Sequence, residues 1–106
     1  MFIVSSSDVE YTFDMLDNKF FGGQLPGLLI KRNAKLIEYG NFWIWGDKTG
    51  IELRKEYDTF SVFVGTLAHE LIHAFQYHEL KSEPDHNLTF YRKAKEIQDE
   101  LGILVA

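Results

Sequence analysis

Thr66-Leu67-Ala68-His69-Glu70-Leu71-Ile72-His73-Ala74 is the stretch of this 106-residue sequence that decides how the rest is read. It places His-Glu-x-x-His inside a run whose apolar residues Val62, Leu67, Leu71 and Phe75 recur at helical spacing to about Tyr77, behind Asp58 or Thr59 as cap. Four residues turn a helix through about 400°, so His69 and His73 project about 40° apart with Cβ atoms about 6 Å apart. Two imidazoles so placed can grip one metal ion. Zinc suits neutral imidazole nitrogen, and a catalytic zinc site keeps a position for water beside three protein ligands. Glu70 is then the neighbour that takes the water's proton as general base and later delivers it to a leaving amine. The bland alternative, satisfied core histidines, requires a helix that is apolar on most sides to bury two imidazoles and a carboxylate without a metal.

Working outward, Ser7 and Glu10 form a capping-box pattern, and Val9, Phe13, Leu16 and Phe20 follow at helical spacing until Gly22-Gly23, which predicts a first helix over about 8–21. Beyond Pro26, the segments 28–30, 36–44 and 51–53 are short and rich in β-formers, with turn residues between them. They read as three strands, the last two a hairpin. Residues 79–85 are polar and contain Pro84, hence a loop. Asp85 or Asn87 caps a last helix over about 88–101, with Leu88, Tyr91, Ala94, Ile97 and Leu101 as its apolar stripe and Gly102 at its end. The fold expected is α+β: N-terminal helix, three-stranded sheet, metal helix packed on that sheet, and C-terminal helix closing the site.

Composition bounds the function. With no cysteine, a thiol nucleophile, an iron–sulfur cluster and a Cys-ligated zinc ribbon are excluded, leaving His, Asp and Glu as ligands. A formal net charge of −5, from 11 Lys and Arg against 16 Asp and Glu, is a poor balance for holding phosphate backbones, so strong direct nucleic-acid binding is not expected. No run approaches the roughly 20 apolar residues of a membrane span. Met1-Phe2-Ile3-Val4 lacks the basic start of a secretory signal, so an intracellular, cytoplasmic protein is expected.

Around the metal helix, Asn18-Lys19-Phe20-Phe21-Gly22-Gly23-Gln24-Leu25-Pro26, the strand Gly50-Ile51-Glu52-Leu53, the run Thr66 to Ala74 and the element His86-Asn87-Leu88-Thr89-Phe90 occur in one order. In that combination the chain resembles the SprT-like family of zinc metallopeptidases over about residues 10–100. Asn87 stands where the family has glycine, and asparagine tolerates positive φ better than most residues. The resemblance implies one domain over 1–106, one zinc per chain, and a protein or peptide substrate lying extended along a sheet edge. It also implies His86 as third ligand. Four other residues compete for that place by position. His78, five residues past His73, points about 140° away on a continuing helix. Glu79 and Glu83 fall in the polar loop, and Glu96 shares the charged face of its helix with Lys93 and Asp99. His86 follows a loop long enough to reverse the chain.

Asp85 is a further candidate to orient a ligand, and Tyr91 to stabilise an oxyanion, although capping and core packing are the simpler roles. Gly65, one turn before His69, either leaves substrate room or allows close helix packing. Phe42, Trp43 and Trp45 are expected half in the core and half at the rim. Two other functions stay open: a zinc-stabilised protein-binding module with little proteolytic activity, and a protease acting on DNA-associated proteins through a partner. A monomer of bacterial or phage origin is compatible with all three.

Overall fold

A computed structural model describes residues 1–25 and 27–105; Pro26, where the first turn of the family-like segment was expected to end, lies outside them. Along the chain run β1 (Phe2–Ile3), α1 (Ser6–Phe20), β2 (Leu29–Arg32), β3 (Gly40–Trp45), β4 (Lys48–Leu53), β5 (Glu56–Tyr57), α2 (Phe60–His78) and α3 (Leu88–Leu101). The domain is α+β, as expected, with the three-stranded sheet ordered β2-β4-β3. β2 runs parallel to β4, whereas β3 and β4 are an antiparallel hairpin closed by Gly46-Asp47, Gly46 taking φ 62°. β1 and β5 form a second, two-stranded pair that the sequence reading lacked, because two-residue strands leave no periodicity to detect.

α2 is the central element. Phe63, Leu67, Leu71 and Ile72 are fully buried, packed in one core with Leu16 and Phe20 of α1, Ile51 and Leu53 of β4, and Phe90, Ala94 and Ile97 of α3. Thr59 caps it as expected, its side chain accepting from the Val62 N–H. No helix among the described residues is long and apolar enough to cross a membrane.

Three local expectations need correction. The first helix is capped by Ser5 instead of Ser7: Ser5 and Asp8 form the reciprocal capping box, and the residues flanking that cap, Val4 and Val9, are both buried, the arrangement of a hydrophobic staple. The second strand begins at Gly40, not Leu36. Asn33 folds its side chain onto the Lys35 N–H, the Leu36 N–H closes a turn onto the Asn33 carbonyl, and Arg54 donates to the Glu38 and Ile37 carbonyls, so residues 35–38 bond within a turn and to side chains instead of a ladder. The stripe of α3 is Phe90, Ala94, Ile97 and Leu101; Leu88 and Tyr91 are exposed. Phe90 replaces Tyr91 because the three histidines lie over that face of the helix.

Gly65 reports close packing. A Cβ there would come within 2.1 Å of the Leu104 carbonyl oxygen, so its bare backbone lets the C-terminal tail cross α2 and bury Val105. The aromatic segment divides as expected: Phe42 and Trp43 are half-buried and Trp45 is exposed. The Trp43 ring lies on buried Gly50, where a Cβ would meet it at 2.2 Å.

Candidate metal centre

His69 and His73 lie on one face of α2, one turn apart, with ring centroids 4.9 Å apart. The polar loop 79–87 brings His86 back to them. The His86 Nε2 is 3.1 Å from the His69 Nε2 and 3.2 Å from the His73 Nε2, and one nitrogen from each ring lies within 4.8 Å of the other two. Two zinc–nitrogen bonds of 2.0–2.1 Å at a tetrahedral angle separate the nitrogens by about 3.3 Å, so the two measured contacts have the spacing of ligands sharing one ion. Phe90, one turn into α3, floors the cluster, its ring 4.8 Å from those of His69 and His86 and 5.0 Å from that of His73.

Protons alone do not explain this packing. His73 Nδ1 lies 3.0 Å from the Gln76 Oε1, an acceptor, so Nδ1 carries the ring proton and Nε2 a lone pair. An aromatic nitrogen holds either a proton or a lone pair, and the His86 Nε2 has two nitrogen neighbours, so a hydrogen bond serves one contact and not both. A cation accepts a lone pair from all three. The three histidines therefore fit a metal ion, and burial pushes the His73 ring below its ordinary pKa, favouring the neutral form that can ligate.

Glu70 sits beside this cluster on α2, 6% exposed. Burial pushes its carboxyl from the ordinary 4.5 to about 7, against the opposing pull of the Phe42 backbone N–H. Gly40 opens the space next to it: a Cβ there would lie 2.8 Å from Thr66 Cγ2 and 3.1 Å from Glu70 Oε2. A cavity of about 360 Å³ lined by Gly40, Asn41, Phe42, Ile44, His69, Glu70, His73 and Pro84 gives access, and one of about 200 Å³ adjoins it at Tyr39, Gly40 and Thr66. Both follow β3, the outer strand of the three-stranded sheet among the described residues. A larger groove of about 620 Å³ lies between α1 and β2, away from the histidines.

The other candidates sit elsewhere. His78 ends α2, half-buried, with its Nε2 2.7 Å from the Thr49 hydroxyl. Glu79 and Glu83 are exposed, and Glu96 is exposed in an ion pair with Lys93 at 3.1 Å. Tyr91 is 59% exposed, so it is not the core residue expected. Asp85 does not cap α3. Its carboxylate turns back to accept from the His86 N–H at 2.8 Å, and Asn87 caps the helix by accepting from the Phe90 N–H at 3.1 Å. Asn87 has φ −96°, so the positive φ its tolerance would have allowed is not used. Sequence reasoning missed the roles of Gly40 and of Gln76, whose place three residues after His73 was the available signal.

No protein-family model matches this chain, and no curated protein is similar enough to count as a match.

Proposed function

We propose that this chain is a zinc-dependent metallopeptidase, arranged as in the SprT-like family, that hydrolyses peptide bonds of protein substrates. The observation that carries the reading is the convergence of three imidazole nitrogens beside one buried carboxyl, at a cavity that follows the outer strand of the sheet. His69, His73 and His86 would hold the zinc, which when bound acidifies a water and polarises a carbonyl. Glu70 is the general base. Buried beside the three imidazoles, its carboxylate takes a proton from the attacking water and returns it to the departing amine. Substrate backbone lies along the β3 edge, where Gly40 keeps the approach to Glu70 clear. Neither a nucleophilic side chain nor direct nucleic-acid contact is needed. A purely structural site gives no reason to bury Glu70 at this energetic cost, which disfavours the binding-module alternative. The test is hydrolysis of a panel of unfolded proteins by zinc-loaded protein. Glu70→Gln should keep zinc and fold and lose cleavage, whereas equal inertness of both proteins would make this a binding module.

A further inference from the structure

Gln76 is a polar side chain with no exposure at all, in the helix that carries two of the three histidines. A buried amide is costly unless every donor and acceptor is used, and here all four are. Its Oε1 accepts from the His73 Nδ1 at 3.0 Å and from the Asp85 backbone N–H at 3.1 Å. Its Nε2 donates to the Asp85 carbonyl at 2.9 Å and to the Asn87 Oδ1 at 3.2 Å. The amide can take only one orientation, because the Asp85 N–H can only donate and its carbonyl can only accept. A cap, a loop and a ligand thus meet on one side chain. Asn87 Oδ1, which Gln76 holds, also receives the first-turn N–H of α3, and His86 lies between the two loop residues that Gln76 grips.

We infer that Gln76 is the positioning residue that assembles the histidine cluster, fixing His73 as the Nδ1–H tautomer while pinning the 85–87 segment that carries His86. Its consequence for metal binding rests on the reading of the cluster as a metal centre, whereas its effect on the tautomer does not. A role in packing alone would lower stability and leave the metal site untouched. The positioning role changes the metal site even in protein that stays folded.

The experiment uses the full chain, and Gln76→Leu and Gln76→Glu variants. Long-range proton–nitrogen NMR of metal-free native protein at pH 8 should show the His73 proton on Nδ1. Gln76→Leu should release that tautomer, weaken zinc binding about 10- to 100-fold in a chelator competition and alter the visible spectrum of the cobalt-substituted protein. Gln76→Glu keeps the acceptor and should restore the tautomer. An Nε2–H tautomer in the native protein overturns the inference, as does a folded Gln76→Leu variant with native zinc affinity and cobalt spectrum. Native protein with the stated tautomer that binds no zinc would instead sink the metal reading and leave the tautomer role of Gln76 standing.

Discussion

Replacing Glu70 by glutamine should stabilise the metal-free protein, and only above acidic pH. The folded carboxyl titrates at about 7 against an ordinary 4.5, so between those values the folded state keeps a proton that the unfolded chain has released. Stability from this group is fullest below pH 4.5, declines as pH rises to about 7, and is flat beyond. The free-energy equivalent is about 3 kcal/mol at pH 8 but under about 1 kcal/mol at pH 5. Glutamine has nearly the same shape and no charge, so it escapes that loss. His73 and His78, whose rings are pushed down by burial, work in the opposite sense and lower stability as pH falls through their ordinary 6.5. They are present in both proteins and drop out of the difference. Urea unfolding with a chelator at pH 5 and pH 8 measures it: the variant's advantage should grow by about 2.5 kcal/mol, a midpoint change of about 1 to 2.5 M urea. An advantage independent of pH, or a variant less stable than native protein at pH 8, would refute the reasoning that burial is what raises Glu70.

Other substitutions probe the remaining parts. His86→Ala should weaken zinc binding by at least about 10- to 100-fold in a titration, and Glu96→Ala should leave it unchanged; the reverse ranking would move the third ligand to α3. Gly40→Ala pushes a methyl toward Thr66 and Glu70, so hydrolysis should fall at least about tenfold with zinc affinity kept, and native activity would show that the space is not used. Gly65→Ala forces the tail off α2 and should cost about 1 to 3 kcal/mol in urea unfolding, with a change under about 0.5 kcal/mol contradicting the close approach at Leu104.

What was legible in the sequence was whatever a period or a spacing records. α2 and α3 were placed within a residue or two because their apolar repeats run three or more turns and end in Thr59 and Gly102, a cap and a left-handed glycine at φ 68°. His69, Glu70 and His73 needed only helix geometry. His86 needed the loop before it, whose path is set by Gln76 and by the Asp85 backbone, contacts that no periodicity encodes. The choice of Ser5 over Ser7 as cap turned on the buried valines flanking it, and the late start of β3 on the grip of Arg54 from a neighbouring strand end. The rotation of the α3 stripe by one residue, from Tyr91 to Phe90, depends on the imidazole cluster above it. Each of these is tertiary context overriding a local preference.

The central claim is that three histidines from two parts of the chain form one zinc centre. Elemental analysis and native mass spectrometry of protein purified without added metal, followed by zinc titration of the chelator-treated form, test it most directly. One zinc per chain, bound with micromolar or better affinity and lost in His86→Ala, is the expected result. A folded native protein that carries no metal and takes up no zinc at micromolar concentration would contradict it.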